Sequence, residues 1–245
     1  MTLQTEIIAH RGYSAVAPEN TLAAVERALE AGADAVEWDM HVASCGTPVL
    51  IHDASLGRTT SGFGPVRRRS LSQLQALDAG SWFDPAFADE RIPSFAEALD
   101  RVKGRVGRVY AEVKGYRELE DLDRMARIAR DADMAYDTVF ISMDWGIVER
   151  IAGQDPTVGI GYIVEERSRW EEALERATPQ PRAILDVDYR ILLAEPDLVA
   201  QARGRGIDVA VWTVDDPADA QTLRAHGVTR ITTNQVTRLL EWRDG

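Results

Sequence analysis

The amino-acid sequence predicts an α/β fold: a closed (β/α)8 TIM barrel with a long insertion between its second strand and second helix. Three observations predict it. Short runs rich in valine, isoleucine and aromatics alternate strictly with amphipathic stretches, eight of each. The chain has 245 residues, about the length of one such barrel. Charged residues and histidines gather where the first apolar runs end, and a parallel barrel keeps its chemistry at the carboxyl ends of its strands. An open doubly wound sheet is the alternative, although it is usually built from fewer units. Residues 1–245 therefore read as a single domain.

In chain order, the apolar runs predict strands at 6–10, 34–42, 108–113, 138–142, 157–163, 182–186, 207–212 and 228–232. Helices are predicted near 20–31, 94–103, 118–132, 145–152, 169–177, 196–205, 217–226 and 235–242. Local chemistry backs several of these. Ser94 with Glu97 three residues on is a capping box, and Asp216-Pro217 is a capping residue followed by proline in the first helical position. Gly32, Gly206 and Gly227 each follow a helical stretch, where a left-handed terminating residue is wanted. After the second strand the chain turns at Ser44-Cys45-Gly46-Thr47 and returns over 48–52, a hairpin that sets His52 roughly opposite Asp39. From Asp53 to Pro93 it carries many glycines and prolines and no clear periodicity. A connection this long is expected to be a functional loop, lying over the barrel mouth with Trp82, Phe83 and Phe87 helping it pack.

Composition narrows the function classes. A net charge of −12 and a pI near 4.8 argue against nucleic acid as a partner, because phosphate backbones require clustered cations. The basic run Arg67-Arg68-Arg69 reads as a solvated loop. No apolar run approaches the ~20 residues of a membrane span, and no integral membrane segment is expected. Met1-Thr2-Leu3-Gln4 leads straight into the first strand without the look of a secretory signal. The single cysteine, Cys45, reads as a turn residue; it excludes an intramolecular disulfide and fits a cytoplasmic location.

The chemistry-bearing residues are His10 and Arg11 after the first strand, Glu37 and Asp39 in the second, His52 after the hairpin, and Glu112 and Lys114 at the end of the third. A strand's two-residue period projects Glu37 and Asp39 to one side. Each residue taken singly has an ordinary structural explanation, such as a hydrogen-bonded histidine or a paired surface charge. Together at one barrel mouth they form a hard oxygen-rich site for one divalent cation, Mg2+ or Ca2+ or Mn2+, since three buried carboxylates without a cation repel one another. Arg11 and Lys114 suit an anionic ligand, arginine matching phosphate in particular. A cation, two imidazoles and two basic side chains read as phosphodiester cleavage: one histidine removes a proton from the attacking hydroxyl and the other protonates the departing alkoxide. A serine hydrolase lacks its G-x-S-x-G turn here.

These residues fall in ordered segments that resemble the glycerophosphodiester phosphodiesterase family, a phospholipase C-like phosphodiesterase barrel. The segments are His10-Arg11-Gly12, Pro18-Glu19-Asn20-Thr21, Glu37-Trp38-Asp39, His52-Asp53, Leu56-Gly57-Arg58-Thr59-Thr60, Ala79-Gly80-Ser81-Trp82-Phe83, Arg91-Ile92-Pro93, Glu112-Val113-Lys114 and Val211-Trp212-Thr213-Val214. The resemblance implies that His10 and His52 are the catalytic acid/base pair and that Glu37, Asp39 and Glu112 bind the metal. It implies that Arg11 and Lys114 hold the phosphate, with Glu19 in support, and that Trp212 lines the pocket for the glycerol or head group. The implied reaction hydrolyses a small-molecule glycerophosphodiester to sn-glycerol 3-phosphate and an alcohol, in lipid and glycerol metabolism. Two alternatives keep the barrel: action on a choline-containing lysolipid, against which the insertion counts, and a catalytically silent phosphate-binding protein. The chain departs from the family's usual pattern at Cys45-Gly46, Ser142-Met143-Asp144 and Thr232-Thr233-Asn234-Gln235, where Asn234 is expected to cap the last helix. Head-group preference, metal identity and oligomeric state are not legible.

Overall fold

A computed structural model describes residues 4–245. In chain order the elements are β1 (Glu6–Ala9), α1 (Leu22–Ala31), β2 (Ala35–Val42), β3 (Pro48–Leu50), α2 (Leu71–Gln75), α3 (Phe95–Val102), β4 (Arg108–Val113), α4 (Leu119–Asp131), β5 (Thr138–Ser142), α5 (Trp145–Gln154), β6 (Gly159–Val164), α6 (Trp170–Ala177), β7 (Ala183–Asp188), α7 (Tyr189–Ala194), α8 (Asp197–Gly204), β8 (Asp208–Trp212), α9 (Pro217–Ala225), β9 (Arg230–Thr233) and α10 (Val236–Asp244). Parallel strands β1, β2 and β4 to β9 hydrogen-bond in sequence order, and β1 pairs with both β2 and β9. The sheet therefore closes into the eight-stranded barrel expected, and β3 lies antiparallel on the outside of the ring beside β2.

Alternate residues of each strand face two cores. Inward, Ile8, Ala35, Tyr110, Val139, Ile141, Ile163, Ile184 and Ala210 fill the barrel. Outward, the other set packs against the helices; Trp38, Phe95 and Phe140 meet there edge to face. The amino-terminal end of the barrel is plugged by polar groups: Arg108 and Tyr110 donate to Glu6, and Arg230 donates to Tyr110 and Asp208. The half-buried charges there are paired and hydrogen-bonded. The opposite, carboxyl end is left for the site.

The end signals work as the residue types dictate. Ser94 and Glu97 close their capping box, Asp216 caps α9, and Gly32, Gly206 and Gly227 take left-handed backbone after their helices. The hairpin turn has Gly46 at φ 83°, with Cys45 exposed beside it, and Ile51, one residue before His52, donates to the Asp39 carbonyl.

Three differences from the sequence expectation stand out. The connection 53–93 is not irregular throughout: it holds α2, with its own Ser70/Gln73 capping box, and two 3-10 turns at Val66–Arg68 and Pro85–Phe87. It builds a small core of Leu56, Val66, Leu74, Ala79 and Ile92 against Ala43, Val49 and Ile51 of the hairpin. Its aromatics turn outward: Trp82, Phe83 and Phe87 stack edge to face on one another, and Trp82 and Phe83 remain exposed. Finally, a short helix, α7, precedes α8; Asp188 caps it and the chain breaks at Glu195-Pro196 before the next begins. A five- or six-residue helix spans too little sequence to show a period, which is why α2 and α7 escape a periodicity reading.

Candidate active site

Four neighbouring strands bring the expected residues together. His10 and Arg11 follow β1, Glu37 and Asp39 point from β2, His52 follows β3, Glu112 is the penultimate residue of β4 and Lys114 follows that strand. Asp39 sits beside Glu112 in the parallel ladder, so a carboxylate of each strand faces the same way. A cavity of about 350 Å3 opens here, lined by His10, Arg11, Glu37, His52, Glu112, Lys114 and Trp212. Asp39 lies buried beneath it. A larger groove, about 480 Å3, runs outside the barrel between α1 and the insertion and touches none of these residues.

The carboxylates form a cluster suited to a cation. One oxygen from each of Glu37, Asp39 and Glu112 lies within 4.8 Å of the others. Among the described residues Glu37 Oε1 is buried without a hydrogen-bond partner, an arrangement that a positive ion would satisfy, and Asp39 Oδ1 has only the Lys114 ammonium nearby, at 3.3 Å. Burial, followed by repulsion from Asp39 and Glu112, pushes the Glu37 carboxyl well above its ordinary range. Burial and then Asp39 push Glu112 up to about 7. For Asp39, burial pushes upward but is outweighed by Arg11 and Lys114, which hold it below its ordinary value. The donor set is all oxygen, which fits a hard divalent cation.

Basic side chains frame the cluster. Arg11 Nε is 3.1 Å from Asp39 Oδ2, and Lys114 Nζ is 2.7 Å from Glu112 Oε1 and 3.3 Å from Asp39 Oδ1. Arg11 also donates to Glu19 at 2.9 Å, and its backbone N–H donates to Glu37 Oε2 at 2.9 Å. Glu19, expected among the substrate-binding residues, does not line the cavity; it sits behind Arg11 and accepts two bonds from Arg58 at 2.8 and 3.0 Å. Arg58 grips Asp53 as well, and Asp53 Oδ1 is 2.7 Å from His52 Nδ1. Hydrogen bonding to Arg58, then to His52, holds the Asp53 carboxyl well below the usual carboxylate range.

The histidines differ in what stands behind them. His52 has the Asp53 carboxylate; His10 has the side-chain amide of Asn234, with Nδ1 2.7 Å from Oδ1. His10 Nε2 is 3.9 Å from Glu37 Oε2. Burial, and then Arg11, lower the His10 pKa from its ordinary value. The structure overturns the reading of Asn234 as a helix cap: α10 starts after Gln235 with no side-chain cap, and Asn234 turns toward His10 and Asp215 instead. Sequence reasoning also left Asn20, Asp53 and Arg58 without a role. Asn20 takes both faces of Asp39, donating to Oδ2 and accepting from the backbone N–H. All three stand inside the ordered segments singled out above, which was the available signal.

The far wall is apolar, built from Ile141, Met143, Ile163 and Trp212, with Glu165 and Asp186 among it. Trp212 is fixed by a bond from its indole N–H to the Asp186 carbonyl at 3.3 Å.

A closed barrel that gathers ionisable side chains from several strands at one cavity is an enzyme of the (β/α)8 class. The whole sequence narrows the class further. Residues 10–238 match the glycerophosphoryl diester phosphodiesterase family, and the chain belongs to it. A glycerophosphodiester phosphodiesterase of Caldanaerobacter subterraneus subsp. tengcongensis is 30% identical over 244 residues, covering 97% of both chains. Among solved structures, a phosphodiesterase of Oleispira antarctica in complex with the product sn-glycerol 3-phosphate superposes with a TM-score of 0.89 at 28% identity, covering 99% of this chain and 98% of that one. A glycerophosphodiester phosphodiesterase of Agrobacterium tumefaciens gives 0.83 at 28% identity, over 97% and 99%. The chain is thus a phosphoric diester hydrolase of the glycerophosphodiester type.

Proposed function

We propose that the protein hydrolyses glycerophosphodiesters to sn-glycerol 3-phosphate and an alcohol, with His10 as general base, His52 as general acid, and one divalent cation held by Glu37, Asp39 and Glu112. The observation that carries this reading is the convergence of both imidazoles, the carboxylate cluster and two basic side chains on one cavity. When bound, the cation supplies charge neutralisation for the phosphoryl oxygens. Arg11 and Lys114 hold those oxygens and favour the extra negative charge of the transition state. His10 Nε2 removes the proton of the glycerol hydroxyl next to the phosphoester, whose oxygen bonds to phosphorus while the phosphorus–alkoxide bond breaks. His52 gives its proton to the leaving oxygen. Water then opens the cyclic phosphate by the reverse proton transfers. The partners behind the rings support this division: the Asp53 carboxylate balances a protonated His52, whereas the neutral amide behind His10 suits an uncharged ring. Trp212 and the apolar wall exclude water around the head group.

The test is release of sn-glycerol 3-phosphate from a mixture of glycerophosphodiesters after chelation, with Mg2+, Ca2+ or Mn2+ then restored singly. Chelator-sensitive release is expected, and none with any ion would sink the reading in favour of lysolipid substrates or a silent barrel. His10→Ala and His52→Ala should each lower kcat by roughly 100- to 10,000-fold, the range of a lost acid or base, with the circular dichroism of the fold unchanged.

A further inference from the structure

The contacts around Asn234 determine where the proton sits on His10. Asp215, in the loop after β8, accepts from the Thr233 hydroxyl at 2.9 Å, from the Asn234 backbone N–H at 2.8 Å and from Asn234 Nδ2 at 2.9 Å. The Thr233 hydroxyl itself accepts from the Gln235 backbone N–H, so its own hydrogen is free for Asp215. A carboxylate only accepts, so the NH2 of Asn234 must face it. The amide oxygen is thereby turned to His10 Nδ1, 2.7 Å away, and the Ser14 hydroxyl donates to the same oxygen at 3.0 Å. An amide oxygen also only accepts, so the neutral His10 ring carries its hydrogen on Nδ1 and leaves Nε2 with a lone pair. The His10 backbone is tied to the same corner, its N–H bonding the Thr233 carbonyl at 2.9 Å.

We propose that Asp215 and Asn234 act as a tautomer lock on His10: positioning residues that aim the proton-accepting nitrogen into the cavity. The catalytic meaning of the lock rests on His10 being the base; its existence does not. A ring free to take the other tautomer would present N–H to the hydroxyl it must deprotonate, and part of the population would be inactive.

Two measurements test this separately. Long-range 1H–15N correlation spectra of cation-free protein in mildly alkaline buffer, with His10 assigned by its loss in His10→Ala, should show a single tautomer protonated on Nδ1. The chain has only four histidines, so three others share that spectrum. Asn234→Ala should mix the tautomers and lower kcat roughly 10- to 100-fold, as lost orienting partners do, with KM changed less than about threefold. Asn234→Asp alone sets two carboxylates face to face. Exchanging the pair, Asp215→Asn with Asn234→Asp, restores one amide donor and one acceptor and should recover the Nδ1–H signal and most of kcat. A wild-type His10 protonated on Nε2 would overturn the lock, as would an Asn234→Ala variant with unchanged spectrum and kcat. Full turnover in His10→Ala with a normal wild-type spectrum would instead overturn the acid/base reading, and with it the lock's catalytic purpose.

Discussion

Arg11 and Gly12 show how tightly the site's chemistry is tied to backbone geometry. Arg11 takes left-handed backbone at φ 57° and Gly12 at φ 76°, which turns the chain so that Arg11 meets Glu19, Glu37 and Asp39 at once. A Cβ on Gly12 would stand 2.5 Å from the Ala24 carbonyl carbon in α1, which neither the strand nor the helix can yield cheaply. Gly12→Ala should therefore cost roughly 2–4 kcal/mol, the sum of strain and overpacking, read as a lower midpoint in urea unfolding at unchanged slope. Asp186 raises a different issue. Its Oδ1 is buried without a partner, and burial, with some help from Glu112, pushes its pKa from 3.8 up to about 8. Between those values the folded protein holds a proton that the unfolded chain has released, so this residue makes stability fall as pH rises. Asp186→Asn should flatten that fall by up to about 1.4 kcal/mol per pH unit and raise the melting temperature above pH 8. An unchanged pH slope would mean that Asp186 is ionised in the native protein.

The insertion 53–93 serves the site through two side chains, Asp53 behind His52 and Arg58 behind both Asp53 and Glu19. Its small core holds it to the hairpin and its aromatics do not line the cavity, while Arg58 bonds Asp53 and Glu19 together. That clamp orients the carboxylate behind His52 and the one behind Arg11. Arg58→Ala should lower kcat roughly 10-fold and speed proteolytic cleavage within 53–93, and normal values of both would show that the backbone alone holds the insertion. The elements themselves differ in how openly they are written. Ser94 with Glu97, and Asp216 with Pro217, declare their helices through local bonds that need no tertiary partner. The helices α2 and α7 are too short for a period; each carries a local cap, Ser70 with Gln73 and Asp188, and packing on the hairpin core and on β7 completes them.

Across the molecule, strand pairing drives like charges together. Glu37, Asp39 and Glu112 come from two adjacent strands whose register the hydrogen-bond ladder sets, and the carboxyls cannot separate without breaking it. A divalent cation would relieve this repulsion only in the folded chain, and ligands that bind only the folded state stabilise it by mass action. At an ion concentration about 100 times Kd the gain is about 2.7 kcal/mol, or a rise in melting temperature of roughly 5–10 °C for a chain of this size. Glu37→Gln and Glu112→Gln should each abolish the shift in a chelation and re-addition series followed by differential scanning calorimetry. No shift with Mg2+, Ca2+ or Mn2+ would remove the cation from the site.

Strand and helix alternation, the capping residues and the ordered charged segments are local patterns, and for that reason the closed barrel, its family and the residues His10, Arg11, Glu37, Asp39, His52, Glu112 and Lys114 were legible in the sequence. What that pattern left open were contacts made across large sequence separations. Asn234 looks like a helix cap beside Gln235, yet barrel closure between β9 and β1 brings it against His10, 224 residues away. Glu19 belongs to a motif, but only the folded insertion carries Arg58 to it and sets it behind the cavity wall. The His10–Asn234 bond depends on the register of a closed sheet, a property of all eight strands together and of no single segment, and the Glu19–Arg58 bond on the fold of the whole insertion.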